Sequence, residues 1–426
     1  MHKYKSLLAA LCVIIICSMM LVTASCGADE SEYVFTTIPP KSTTAFSGTA
    51  MNTASKNETT LPLSSIPTTR TQRRFAIDFT GKVAAKRTIE VEAKDIAGYN
   101  GMRNVTSKQI VLDMRAGATY SNYLDSRIAN ESAFKRTLLM MKVSGFNAIR
   151  LPVSFEYNID KSTYKISESY MKKVQKAVDT IIKYKMYCVL SLQNEGGWIR
   201  TDTSHYSHDK KEFDAVWKQL ASRFKSYSDY LLFEGYSELM NTTDNPTEKD
   251  YDNLNSYAQD FVNIVRNSGG NNEVRHIVIS SYGSYSSGDP IDKLKVPTDI
   301  SKNGKNKMII DIHLSLPAAF VGVSYADEND WGTDSDKRTL EYQLYLIKYM
   351  FSDRLGLPVI IGKYGAADKN NTADRALYAS YFTATAYEDG MTCFWNDDGA
   401  DFALYERTTG RPKFEEIINA IIMSIQ

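Results

Sequence analysis

The sequence predicts a (β/α)8 barrel, and three observations predict it. From Glu131 onward, short apolar runs rich in β-branched residues alternate with amphipathic stretches of helical length, the pattern of βα units on a parallel sheet. The units repeat through about 300 residues, the size of one barrel domain. No GxGxxG or phosphate-loop segment is present to favour an open, doubly wound sheet.

Taken in order, the chain first gives Phe75 to Ala93, where apolar and polar residues alternate about a turn near Gly81. That reads as a β-hairpin cap within residues 75–105, ahead of a barrel over 106–426. A helical stretch, ESAFKRTLLMMKVSG, then precedes the strand GFNAIRLPVSF (Gly145 to Phe155). YMKKVQKAVDTIIKYK precedes MYCVLSLQNEGGW, FDAVWKQLASRFKSYS precedes YLLFEGYSELMN, and YDNLNSYAQDFVNIVRNSGG precedes HIVISSYGSY. KMIIDIHLSLPAAF follows, then a helix around Lys337 to Phe351 and the strand LPVIIGKYG (Leu357 to Gly365). A helix around Thr372 to Asp389, the strand MTCFWNDDG and a closing helix from Lys413 to Ser424 complete the chain. The first half of LPVIIGKYG suits a strand buried on both faces, and its end turns polar where a barrel strand reaches the catalytic face.

The start of the chain carries different signals. Lys3 and Lys5, an apolar core from Leu7 to Val22 and Thr23-Ala24-Ser25-Cys26 read as an export signal over residues 1–26. Small residues before Cys26 resemble a bacterial lipobox, which would make Cys26 the lipidated N-terminus of a cell-envelope protein. A simple secretory signal is the alternative, and the apolar core is short for a spanning helix of ~20 residues. Residues 27–74, rich in Thr, Ser and Pro, bury too little apolar surface to offset chain entropy and are expected to form a disordered tether. With 50 basic and 50 acidic residues in 426, nothing in the overall balance points to nucleic acid, or to a membrane beyond the lipid anchor. Of five cysteines, Cys188 and Cys393 sit in apolar strand-like runs and are expected as buried small hydrophobes rather than a disulfide or metal pair.

Chemistry in such a barrel sits at the C-terminal strand ends. Those ends carry Arg150 in GFNAIRLPVS, Gln193 and Asn194 after the third strand, Ser237 and Glu238 in LLFEGYSEL, His313 in DIHLS, Lys363 in GKYG, and Trp395 and Asn396 in the last strand. Read singly, Arg150 and Glu238 could be ordinary strand-end ion pairs and His313 a satisfied polar residue. In register they resemble glycoside hydrolase family 5, the cellulase-like retaining glycosidases, over about Thr106 to the end. MRAGATYSNYLDS matches that family's first strand weakly, at Gly117, Asn122, Leu124 and Asp125. The resemblance implies that Glu238 stands at the acid/base position, Arg150 at the position of the arginine that binds the nucleophile, and His313 on the sugar site. It also implies that Lys363 stands where the nucleophile Glu belongs.

A retaining glycosidase needs two carboxyls about 5–5.5 Å apart, one of which attacks the anomeric carbon. A protonated lysine has no lone pair to attack with. Ser237 replaces the family's Asn before the acid/base, Leu239 its Pro, Gln193-Asn194 its paired histidines, Ser315 its sixth-strand Tyr, and Asn396 its sugar-stacking Trp. With its usual carboxylate gone, Arg150 is expected to face Lys363, and Glu238 to become the counter-ion of Lys363, ionised with a depressed pKa.

Trp198 and Trp331, in loops above the barrel face, are the expected sugar-stacking aromatics, and helical Trp217 is expected in the core. His205 and His208 lack a third converging ligand. DENDWGTDSD (Asp327 to Asp336) breaks the calcium-loop pattern at Trp331, so neither a metal nor a cofactor is expected. The reading that fits best is a monomeric, exported, lipid-anchored protein that binds β-linked polysaccharide or oligosaccharide with hydrolysis impaired or lost. The alternatives are an active β-glycanase using Glu195, Asp397 or Asp398 as a substitute carboxylate, and a non-enzymatic protein-interaction module on a barrel scaffold.

Overall fold

A computed structural model describes residues 101–124, 130–194, 197–243, 245–301, 304–322 and 329–426. The signal segment with Cys26, the Thr/Ser/Pro-rich stretch and the hairpin at Phe75 to Ala93 lie outside the described residues, as do Glu195, Asp327 and Glu328.

The Thr106 hydroxyl accepts from the Gln109 amide and starts α1 (Ser107–Met114), which leads into β1 (Ala116–Tyr120). Seven further strands follow: β2 (Ala148–Val153), β3 (Tyr187–Gln193), β4 (Leu231–Ser237), β5 (Ile277–Ser280), β6 (Met308–His313), β7 (Val359–Tyr364) and β8 (Thr392–Asp397). The helices between and after them are α2 (Glu131–Ser144), α3 (Glu168–Lys183), α4 (Thr203–Phe224), α5 (Glu248–Asn267), the short α6 (Asp289–Asp292) and α7 (Ala318–Val321), α8 (Asp334–Ile347), α9 (Thr372–Glu388) and α10 (Glu415–Met423). All eight strands pair in parallel and β8 closes on β1, so the expected (β/α)8 barrel is the observed one.

The strands are almost wholly buried because both of their faces are covered. Inside, Val189, Leu232, Val278, Ile309, Ile360 and Phe394 fill the barrel, and Ile110, Val111 and Met114 of α1 join them. Gly117 makes room for this: a Cβ there would lie 2.4 Å from Phe394 Cδ1. Outside, alternate residues such as Leu151, Cys188 and Phe233 pack against the helices, whose apolar stripes (Tyr170, Val174 and Ile181 on α3, for example) face inward. Cys188 and Cys393 are free and buried, as expected, and Trp217 is core, its indole N–H donating to Gly235 O at 2.8 Å.

The polar ends of three strand pairs depart from regular register, between Ser191 and Gln193, between Ile312 and His313, and between Ile361 and Tyr364. Such irregularities re-aim the side chains at a strand terminus. One consequence is that His313 and Lys363 become direct partners across β6 and β7.

Candidate functional site

At the barrel mouth Lys363 Nζ lies 2.7 Å from Glu238 Oε1. His313 Nδ1 meets the same oxygen at 3.0 Å, and Gln193 Nε2 donates to Oε2 at 3.0 Å. Glu238 follows the end of β4 with φ of 55°, a left-handed conformation that costs a non-glycine residue energy. Its backbone N–H donates to Ser284 Oγ at 3.1 Å, and its carbonyl accepts from Asn194 Nδ2 at 3.4 Å. The carboxylate is therefore held from both oxygens, and its backbone from two loops. Burial alone would raise its pKa, but the Lys363 ammonium and the His313 ring outweigh that and hold it well below the usual carboxylate range.

Arg150 does not face Lys363 without a carboxylate, contrary to expectation. It is fully buried and forks onto Glu234, with Nε donating to Oε2 at 2.7 Å and Nη2 to Oε1. Nη2 also donates to Ser191 Oγ at 3.0 Å and Ser237 Oγ at 2.8 Å, and lies 3.6 Å from Asp311 Oδ2. Burial opposes its charge, yet Glu234 and Asp311 keep its pKa above that of a free guanidinium. Asp311 in turn stands 3.1 Å from His313 Nε2, so the imidazole lies between two carboxylates, and a neutral ring has an N–H for only one of them. Gly362 permits this packing, since a Cβ there would meet Asp311 Oδ1 at 2.1 Å.

Glu234 and Asp311 are absent from the sequence candidates. Each carries a weak signal, an acid in an otherwise apolar strand: LLFEGYS and MIIDIH. Asp311 is two residues before His313, on the same strand face by the period of two. Burial raises the pKa of both carboxylates, yet their net shifts run in opposite directions. Burial, reinforced by Asp311, raises the pKa of Glu234 in spite of Arg150, whereas His313 and Arg150 overcome burial and lower that of Asp311.

The expected tryptophan platforms are corrected. Trp198 is buried, its N–H donating to Gln193 O at 3.1 Å, and Lys161 Nζ lies 5.8 Å from its ring. Trp331 is buried edge-on against Tyr378 at 5.4 Å and near Tyr381 at 5.5 Å. Trp395 points among the helices, donating to Phe402 O at 2.8 Å. Apolar side chains in the loops over a barrel face pack under those loops before they face solvent, and the rings of Trp198 and Trp331 do so. The large aromatic that stands out is Tyr157, 88% exposed in the loop after β2. That loop is braced by an Asp160 turn and by the bridge between Ile159 and Ile166. Asn396 is buried on β8 and accepts from Ser121 Oγ at 3.0 Å.

The substitute carboxylates are corrected too. Asp397 accepts the amides of Gly399, Leu404 and Tyr405 and pairs with Arg407 at 2.9 Å; Asp398 accepts from Ala400 and Phe402. Both shape the loop after β8, and Glu195 is outside the described residues. The acids beside Glu238 are Glu234 and Asp311, both tied to Arg150. His205 pairs with Asp202, and His208 with Asp209 at 3.0 Å; Asp336 caps α8 in a capping box with Thr333. Among the described residues no three His, Cys, Asp or Glu side chains converge as a metal site would need.

A family model described as Cellulase (glycosyl hydrolase family 5) matches residues 114–400. Endoglucanase B of Neocallimastix patriciarum is 30% identical over 363 residues, spanning 78% of this chain and 74% of the relative. The cellulase/esterase CelE of Acetivibrio thermocellus is 28% identical over 363 residues, covering 80% of this chain but only 43% of CelE's own length. Among solved structures, a broad-specificity endoglucanase from Ruminococcus champanellensis with bound cellotriose superposes with a TM-score of 0.70 at 30% identity, covering 75% of this chain and 99% of that one.

Proposed function

The chain belongs to the cellulase family, glycosyl hydrolase family 5, and from that membership we propose that it is an exported, lipid-anchored β-glycan-binding barrel whose hydrolysis is impaired or lost. Lys363 takes the place of the nucleophile in this reading. The observation that carries it is the 2.7 Å contact between Lys363 and Glu238. A retaining mechanism needs one carboxylate to attack and one carboxylic acid to give a proton. An ammonium cannot attack. A carboxylate bound by Lys363, His313 and Gln193, with its pKa pressed down, is a poor proton donor at neutral pH. Loss of a nucleophile alone costs enzymes about 10⁴–10⁶ in rate, or about 5–8 kcal/mol of barrier.

Glycan binding is supported by the relatives, since the Ruminococcus champanellensis structure holds cellotriose. The export signal and Cys26 supply the anchor, and the stretch over residues 27–74 the tether. Turnover on soluble β-1,4-glucan, with calorimetry on cellotriose, tests the reading: binding without ordinary turnover is expected. A second reading, a working endoglucanase, is favoured by the activity in its relatives' names. Turnover of ~1–10³ s⁻¹ that is abolished by Glu238→Gln would establish it instead.

A further inference from the structure

The overall balance of charge conceals a strong asymmetry along the chain. Residues 131–225 carry 17 Lys and Arg against 10 Asp and Glu, whereas residues 226–426 carry 18 against 30. Because the barrel closes in sequence order, residues 131–225 form one continuous arc, α2 to α4, and the acidic remainder forms the other side. The arc's outer surface is bound together across α3 and α4 by Arg223, which reaches Glu168 at 2.9 Å and Gln175 at 2.9 Å. Several acids of this arc are taken by other cations: Lys176 pairs with Glu131, Lys161 with Glu212, and Lys210 with Asp214; Asp179 on α3 instead accepts from the Tyr227 hydroxyl at 2.6 Å. Lys172, Lys173 and Lys183 on α3, Lys211 and Lys218 on α4 and Lys225 at its end are all exposed, and none has a carboxylate within ion-pair distance among the described residues.

We propose that the α3–α4 face docks on an anionic lipid bilayer. Six unpaired ammonium groups on two adjoining helices, with Asp179 and the Arg223-bound Glu168 as the exposed acids of α3, leave this face net positive over an area wider than the Debye length of about 8 Å in physiological salt. Each basic residue brought to an anionic membrane surface strengthens binding about fivefold. The acidic half of the barrel is repelled by the same surface, so the field orients the molecule as well as attracting it. The partner is a bilayer because the face is net positive and the proposed lipid site lies upstream on the same chain, which enters the barrel through α1 and β1, between β8 and β2. This choice of partner rests on the proposed anchoring. Since α3 and α4 line the side of the barrel, docking through them leaves the strand-end mouth open to a glycan.

The test uses the chain from Gly27 onward, which keeps the whole barrel and carries neither the apolar leader nor the lipid site. Co-sedimentation is measured with phosphatidylcholine vesicles, with and without phosphatidylglycerol. Binding is expected only where phosphatidylglycerol is present, to fade as salt is raised, and to weaken at least about tenfold in K172E/K173E/K183E, whose melting temperature stays that of the parent. Absence of binding, equal binding to both vesicle types, a triple variant that binds like the parent, or a preference for soluble polygalacturonate over vesicles would each overturn it. Fatty-acid labelling of Cys26 in the full chain tests the anchor separately, and cellotriose calorimetry tests the glycan reading.

Discussion

Lys363 and Glu238 are 125 residues apart in sequence and 2.7 Å apart in space, and each is the other's principal partner at the barrel mouth. Lys363 is nearly buried, with side-chain exposure of 10%, so removing Glu238 leaves its charge in a partly desolvated site. Glu238→Gln and Lys363→Met should each destabilise the fold by about 1–3 kcal/mol, the cost of orphaning a buried polar group. The double variant should cost less than the sum of the two, as expected for residues in contact. Urea unfolding of the four proteins measures this; a Glu238→Gln variant as stable as the parent would remove the pair from the energetics of the site.

The depressed pKa of Glu238 gives the pair a pH signature. An unfolded Glu titrates near 4.3, and in the fold Glu238 titrates below that. Between the two values the unfolded chain binds more protons, so stability rises with pH there. The contribution is complete above about pH 5 and is lost as pH falls through the folded pKa. Asp311 acts in the same sense and Glu234 in the opposite one, because burial raises its pKa. The stability gap between parent and Glu238→Gln should therefore shrink as pH is lowered from 5 to 3, which the urea midpoint would report.

How much of this was legible in the sequence depends on what fixes each feature. Strand and helix alternation is local, and it gave the barrel and the strand-end positions of Glu238, His313 and Lys363, whereas Arg150 sits within β2 and is fully buried. The pairing of Lys363 with Glu238 followed from the resemblance, which puts the two on the family's paired-carboxyl positions. The partners of Arg150 did not, because an acid inside an apolar strand shows its neighbours only once eight strands are in register. Glu234 and Asp311 are such acids. Tryptophan orientation was equally hidden: Trp331 sits in a polar loop by sequence, yet its ring is taken by Tyr378 and Tyr381 from α9. Opposed charges on the two halves of the barrel needed no structure to count, only the closure order to become two faces.

Arg150 is fully buried and faces two buried carboxylates, Glu234, onto which it forks, and Asp311, which it shares with His313. Arg150→Met removes the cation and leaves Glu234 and Asp311 buried and mutually repelling. The expected loss is about 3–5 kcal/mol, the cost of breaking a buried ion pair. Arg150→Met with Glu234→Gln should recover part of that. Thermal unfolding of both variants checks it, and recovery is the outcome that separates a charge effect from lost packing.

Lys363→Glu makes two changes at once under the proposed function. It supplies a carboxylate on β7, and it replaces the ammonium beside Glu238 with a like charge, which raises the pKa of Glu238 towards the protonated form that a general acid needs. Hydrolysis of a soluble β-1,4-glucan should rise at least about tenfold over the native chain, and Glu238→Gln in the same background should abolish the gain. Recovery to an ordinary family rate is not expected, because Arg150 stays committed to Glu234 and Asp311. A native chain faster than Lys363→Glu would contradict the assignment of Lys363 to the nucleophile position.

Trp331 and Tyr157 should part company when each is changed to Ala. Trp331 is 4% exposed, so its truncation opens a cavity between the loop and α9 and should cost about 3–5 kcal/mol of stability. Cellotriose affinity, measured below the unfolding transition, should hardly move. Tyr157 is 88% exposed, so its loss should leave stability within about 0.5 kcal/mol. Its loop is linked to the site: Lys161 lies over Trp198, Trp198 donates to Gln193, and Gln193 donates to Glu238. If the ring stacks on a bound glycan, Tyr157→Ala should weaken binding about three- to tenfold, in line with an aromatic contact of about 0.5–1.5 kcal/mol. Calorimetry and melting curves on the two variants give four numbers. A Trp331→Ala variant that is stable but blind to cellotriose would restore the tryptophan as a platform and displace Tyr157.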